Sequence, residues 1–262
     1  MSKIGIIYFS GTGNTKFIAQ NIKRQLDKCN EKVDLINIEK DDIDSMEYGY
    51  IIIGGPVYVD RYPENLIKYI EENLHGFRGK CMLFTTQASP KETITYQYFM
   101  KRIPSLNITY CTLFNMPNNF YNFLFKMSSK EEEIELMKRA QFSIEDEVNS
   151  FMEGKTKFYP KKKNIHVNMM NSVYNMVYPH LMKILTKKIY IDERRCTKCK
   201  LCERRCPMGA INIEEKNIIN KNCLLCQRCL SSCPQDAFYY KDKKIIQYNP
   251  NFRYFNRDFN NE

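Results

Sequence analysis

Tryptophan is absent from this chain, histidine occurs three times, and glycine and proline occur ten times each in 262 residues. So little glycine and proline excludes collagen-like and long low-complexity segments. His75, His166 and His180 show no ligand spacing, so no imidazole metal centre is expected. Long apolar runs are missing too: stretches such as Ile51 to Ile53 and Met82 to Phe84 fall far short of a membrane span. Met1 to Ser10 lacks a signal-peptide cleavage pattern, and a cytoplasmic location is the expectation. Hydrophobic residues at 43% and charged residues at 27% exclude disorder for most of the chain, and the length suits two modest domains.

Charge is present but unevenly spread. The formal net charge is +10, yet residues 151 to 200 alone hold twelve Lys and Arg against Glu153, Asp192 and Glu193. Lys155 to Lys163 is read as a solvated connector, with a docking surface for an acidic redox partner or nucleic acid as the rarer meaning.

The first 150 residues alternate strand and helix signals as a doubly wound α/β sheet requires. Strands are expected at Lys3 to Phe9, Val33 to Ile38, Tyr50 to Gly55, Lys80 to Thr86 and Ile108 to Phe114. Helices are expected at Asn14 to Cys29, Glu64 to Leu74 and Thr93 to Ile103. Ser129 and Glu132 form a capping-box signature before a helix carrying Ile134, Met137, Ile144, Val148 and Phe151 on one face. Gly154 to Asn164 reads as a connector. Val167 to Leu185 is a Met-rich helix with a kink or break at Pro179, a candidate for bridging two domains or for a dimer contact.

Ser10-Gly11-Thr12-Gly13-Asn14-Thr15 follows the first strand and opens a helix. Backbone N–H groups there can cradle a phosphate, with the hydroxyls of Ser10, Thr12 and Thr15 and the Asn14 amide completing its shell. The loop lacks the Gly-Lys-Thr ending of a Walker A sequence and the third glycine of a dinucleotide fingerprint. It matches the T/S-x-T-G-x-T pattern, and residues 1 to 153 resemble the flavodoxins. That resemblance implies a five-stranded parallel sheet of order 2-1-3-4-5 that binds FMN, with the ring held by the loops after strands three and four. Those positions are Pro56, Val57 and Tyr58, and Thr85, Thr86 and Gln87, with Tyr58 the candidate for stacking on the ring. No glycine occurs from Val57 through Leu74, a departure from flavodoxins that move a glycine-containing peptide near the flavin.

Eight of the eleven cysteines lie between Cys196 and Cys233. Cys29, Cys81 and Cys111 lie elsewhere and read as small buried hydrophobes. The eight fall into two runs of spacing C-x2-C-x2-C-x3-C-P, the second 27 residues after the first, so this region is an internal duplication. Zinc would need pairs, without a third cysteine at the same spacing. From Tyr190 to about Tyr240 the chain resembles the bacterial two-cluster ferredoxins, including Pro207 and Pro234 and the Ala-Ile and Ala-Phe pairs that follow. The resemblance implies a small α+β domain with two 4Fe-4S clusters whose ligand sets cross. One set is Cys196, Cys199, Cys202 and Cys233; the other is Cys223, Cys226, Cys229 and Cys206. Many ferredoxins have Ile-Gly between the first two cysteines, where this chain has Thr197-Lys198 and Leu224-Leu225.

These readings divide the chain into a flavodoxin-like domain (1–153), a basic and Met-rich segment (154–188), a ferredoxin domain (189–246) and an aromatic tail (247–262) expected to pack in part. The arrangement resembles fusions of the two families found in anaerobic bacteria. It implies an electron-transfer protein relaying between FMN and two clusters, with redox proteins as partners. A flavin-dependent reductase fed by the clusters is the alternative, and a nucleic-acid-binding redox sensor ranks last.

Overall fold

The computed structural model describes residues 3–91, 94–123, 125–159, 164–215 and 218–255. It separates into two compact units, one formed by 1–117, 128–163 and 251–262, the other by 118–127 and 164–250.

In the first unit, β1 (Lys3–Tyr8), β2 (Val33–Asn37), β3 (Tyr48–Pro56), β4 (Lys80–Gln87) and β5 (Asn107–Asn115) form one parallel sheet of order β2-β1-β3-β4-β5. The central strands are near-continuous apolar runs because both of their faces are covered. Ile4, Ile6, Ile7, Ile51, Ile52, Ile53, Met82, Leu83 and Phe84 are all fully buried. Crossovers place α1 (Asn14–Lys28) on one face and α2 (Glu64–Asn73) and α3 (Thr95–Arg102) on the other. α4 (Lys130–Met152) packs beside α1. Arg102 on α3 reaches Glu71 and Glu64 of α2, at 2.6 and 3.2 Å.

The Ser129 capping box is formed in both directions. The buried stripe of α4 is Met137, Ala140, Ile144, Val148 and Phe151; Ile134 lies outside it, 40% exposed, because only the later turns meet the sheet. Cys81 and Cys111 are buried, which pushes both thiols up to about 12. Cys29 is exposed, a correction to its expected burial: it caps the end of α1, beyond the last residue facing the core.

The expected connector is not wholly solvated. Lys157 accepts from Cys111 N–H (2.8 Å) and donates to the Thr109 carbonyl (3.1 Å), adding one bridge to the open edge of β5. Its ammonium lies 2.6 Å from Glu147 of α4. Lys161 to Lys163 lie outside the described residues.

The second unit holds α5 (Asn164–Thr186), β6 (Ile189–Ile191), α6 (Leu201–Arg204), α7 (Arg228–Ser231), β7 (Phe238–Tyr240) and β8 (Lys243–Lys244), with the strands antiparallel in the order β6-β7-β8. α5 runs through Pro179 without a break, which corrects that half of the expectation. One proline removes a single ladder bond, and Met182 and Leu185 anchor the turns that follow in the core. That core also contains Ile189, Leu225, Leu230, Phe238, Tyr240 and Ile245.

Two stretches lie in a different unit from their chain neighbours. Residues 118–127 join the second unit because the Asn122 amide bonds Ile246 in both directions, at 2.8 and 2.9 Å, and Phe123 meets Tyr240 edge-on at 4.8 Å. The tail from Asn251 joins the first unit through α8 (Phe252–Phe255).

Candidate cofactor sites

Tyr8 of β1, Gly54 of β3 and Phe84 of β4 lie in one row across the sheet. The loops after these three strands leave the carboxyl edge side by side, in the crevice where doubly wound sheets bind ligands. Close strand packing there requires glycine: a Cβ on Gly54 would lie 1.9 Å from Phe84 Cζ.

The loop from Ser10 to Thr15 is held from inside. Gly13 N–H donates to Ser10 Oγ (3.1 Å), and Gly13 starts α1 in a left-handed conformation at φ +110°. The first turn of α1 carries no acidic residue, so its positive end remains available to an anion. Asn14 Nδ2 donates to the Pro117 carbonyl (3.0 Å), which ties the loop to the segment after β5. Thr15 Oγ1 lies 2.7 Å from Thr86 Oγ1, and both residues are buried.

Thr85 and Thr86 separate, because side chains alternate along a strand. Thr86 meets the Ser10–Thr15 loop. Thr85 faces α3, where its N–H and hydroxyl lie 3.1 and 2.8 Å from the Tyr96 hydroxyl, which in turn donates to the Thr112 carbonyl. Gln87 Nε2 donates to the carbonyls of Ser89 (2.7 Å) and Lys91 (2.6 Å), holding the loop after β4. Its Oε1 is buried and has no hydrogen-bond partner among the described residues. An unpaired buried acceptor at this loop suits a ligand N–H, a group the flavin ring carries.

After β3, Val57 N–H donates to the Thr86 carbonyl (3.1 Å). Tyr58 and Arg61 then close a tight turn by exchanging backbone hydrogen bonds of 2.8 and 3.3 Å. Val59 (φ 50°) and Asp60 (φ 61°) at its tip are both left-handed, the conformation of a type I′ turn, and strained for a β-branched valine. Tyr58 is half-buried at the start of this turn. Arg61, which belongs to no sequence motif, is buried with its guanidinium 4.3 Å from the centre of the Tyr98 ring.

In the second unit the duplication is repeated in the backbone. Lys198, Lys200 and Gly209 are left-handed (φ 54°, 56° and 54°), and so are their counterparts 27 residues on, Leu225, Gln227 and Asp236 (φ 52°, 61° and 49°). Left-handed residues at alternate positions turn N–H groups inward, toward sulfur. Lys198 N–H points at Cys196 Sγ (3.4 Å) and Leu225 N–H at Cys223 Sγ (3.3 Å). Ala210 N–H points at Cys206 Sγ (3.1 Å) and Ala237 N–H at Cys233 Sγ (3.4 Å). These two alanines are the ones that follow each Cys-Pro pair.

Cys196, Cys199, Cys202 and Cys233 line one open cavity together with Ile191, Leu201, Ile213 and Phe238. Burial pushes the Cys202 thiol up to about 11 and the Cys223 thiol up to about 12, and raises that of Cys229 as well; Cys206 and Cys226 add like charge at Cys223 and Cys229. Such thiols ionise when metal takes the place of the proton. Among the described residues no three His, Cys, Asp or Glu side chains converge on a single metal ion. A cubane asks for something different: its thiolates bind separate irons and stand around the walls of a cavity.

Two family models match the chain: a flavodoxin domain over residues 5–115 and a 4Fe-4S dicluster domain over residues 188–234. The chain joins a flavodoxin domain to a 4Fe-4S dicluster domain. The first implies FMN and the second implies 4Fe-4S clusters, as in an electron-transfer flavo-iron-sulfur protein. No curated protein matches the chain. Among solved structures it is similar to a flavodoxin from the domain Archaea, at 17% identity over 56% of this chain and 99% of that one, TM-score 0.39. It is also similar to the two-electron reduced flavodoxin of Megasphaera elsdenii, at 20% identity over 53% of this chain and 98% of that one, TM-score 0.39. A flavoprotein from Lactobacillus acidophilus NCFM in complex with FMN matches at 21% identity over 43% of this chain and 93% of that one, TM-score 0.38. No helix of the described residues is long and apolar enough to cross a membrane.

Proposed function

We propose that the protein relays electrons between FMN and two 4Fe-4S clusters, exchanging them with redox protein partners. When bound, FMN passes one or two electrons and each cluster passes one, which lets the chain convert between the two regimes. The supporting observation is the cavity walled by Cys196, Cys199, Cys202 and Cys233, in which a cysteine of the second run joins three of the first. On this reading Cys206, Cys223, Cys226 and Cys229 hold the second cluster.

On the flavin side, the Ser10–Thr15 loop and the start of α1 would receive the phosphate, with the Ser10 and Thr12 hydroxyls at its edge and the Gly13 N–H bracing the loop through Ser10 Oγ (3.1 Å). Thr15 and Thr86 fix the loop to β4, while Pro56, Val57 and Tyr58 and the Gln87 Oε1 acceptor would receive the ring. Thr85 supports β4 from the far face.

An anaerobic potentiometric titration followed by visible absorption and EPR tests this reading. One FMN and two clusters per chain, reducing over overlapping potentials, is the expected result. A single cluster, or no flavin, would overturn it. Turnover of a small acceptor, saturable and faster than free FMN with a ferredoxin, would instead identify a reductase.

A further inference from the structure

The tail of the chain returns to the phosphate loop. Phe252 is 3% exposed, and its ring lies 5.5 Å from that of Phe17 at an interplanar angle of 29°. Phe255 meets the same Phe17 ring edge-on at 6.1 Å. A Cβ added to Gly13 would lie 2.6 Å from Phe252 Cε2, so the ring rests directly on this glycine. Gly13 is also the residue whose N–H bonds Ser10 Oγ (3.1 Å) and whose carbonyl accepts the first helical bond, from Phe17 N–H (2.8 Å). Phe252 thus presses on the joint between loop and helix.

A glycine-rich loop loses more conformational freedom on ordering than any other, and that cost falls on whatever ligand orders it. A buried ring fixed against Gly13 and Phe17 orders the loop beforehand and presents its N–H groups already aimed. We propose that residues 251–255 form a strap that preorganises the phosphate loop, with Phe252 as a positioning residue that sets affinity for the flavin phosphate. This rests on the FMN reading above. The strap acts through the loop on the phosphate, so riboflavin, which lacks the phosphate, should not feel its loss.

The test is titration of the full-length, cluster-loaded protein with FMN and with riboflavin, in the parent and in Phe252→Ala and Phe252→Leu. The parent's preference for FMN over riboflavin should fall about ten-fold in Phe252→Ala and by a smaller factor in Phe252→Leu, with riboflavin affinity and iron content unchanged. A chain ending at Pro250 should behave as Phe252→Ala does. A parent that does not bind FMN would refute the FMN reading itself. A parent that binds FMN, with variants whose preference equals the parent's, would overturn the strap alone. Equal losses for both flavins would overturn it too, since the effect would not then pass through the phosphate. Should Phe252→Ala fail to fold, the preference measured in Phe252→Leu decides.

Discussion

The hydroxyls of Thr15 and Thr86 lie 2.7 Å apart in the core, joining the first turn of α1 to the end of β4 across 71 residues of sequence. Only one proton can lie between two hydroxyl oxygens, so one member of the pair still has a proton to donate. Replacing either threonine by valine leaves the other hydroxyl buried without its partner, at a cost of about 1–3 kcal/mol, whereas replacing both avoids that penalty. Denaturant unfolding of the two single variants and the double variant should give a double-variant loss smaller than the sum of the singles. Additive losses would mean that the contact carries no energy of its own.

If the ligand sets cross as proposed, the iron count of cysteine variants follows. Cys199→Ala and Cys233→Ala should each remove the same cluster, and combining them should remove nothing more. Cys199→Ala combined with Cys206→Ala should remove both clusters. Iron and sulfide analysis with EPR distinguishes the cases, and a further loss in the Cys199/Cys233 pair would show that the runs do not cross.

Lys198 occupies a left-handed position (φ 54°) between the first two cysteines, where many ferredoxins have glycine. A side chain there carries a backbone cost of about 1–2 kcal/mol that glycine escapes. Lys198→Gly and Lys198→Ala remove the same charge but relieve different amounts of strain. The glycine variant should be the more stable of the two by about 1 kcal/mol, read from the midpoints of anaerobic thermal or denaturant unfolding.

At the start of the sheet, Asp34 takes hydrogen bonds from the Tyr48 hydroxyl (2.6 Å) and faces the Lys3 ammonium at 2.7 Å. Partial burial works against its charged form, but these partners prevail and hold the carboxyl below its usual value of 3.8. A lowered carboxylate contributes stability that is present above the unfolded value and lost as pH falls through the folded one. Asp34→Asn should therefore cost less than about 1 kcal/mol near neutrality, since the site is partly exposed, and nothing once the parent's carboxyl is protonated. Melting temperatures of parent and variant that converge on acidification would bear this out; a gap constant from pH 7 to pH 3 would not.

The features legible in the sequence are those with a short repeat length. Strand positions in the sheet follow from apolar runs bounded by turns, and the capping box at Ser129 follows from a spacing of three. The cysteine runs, each spanning eleven residues with a copy 27 further on, prescribe matching left-handed positions, because so short a chain has few ways to aim three sulfurs inward. The absence of a break at Pro179 and the exposure of Ile134 are not legible in the sequence, for the converse reason. Helix continuity and burial at those positions depend on what packs nearby, which local spacing does not encode.

The sequence by itself therefore determined the two modules and their order. Tertiary structure decided which residues meet. It sorted Thr86 toward Thr15 and Thr85 toward Tyr96, gave residues 118–127 to the second unit, and brought Phe252 onto Gly13. Each of these is a contact between distant parts of the chain, fixed by packing and by the alternation of side chains across a sheet.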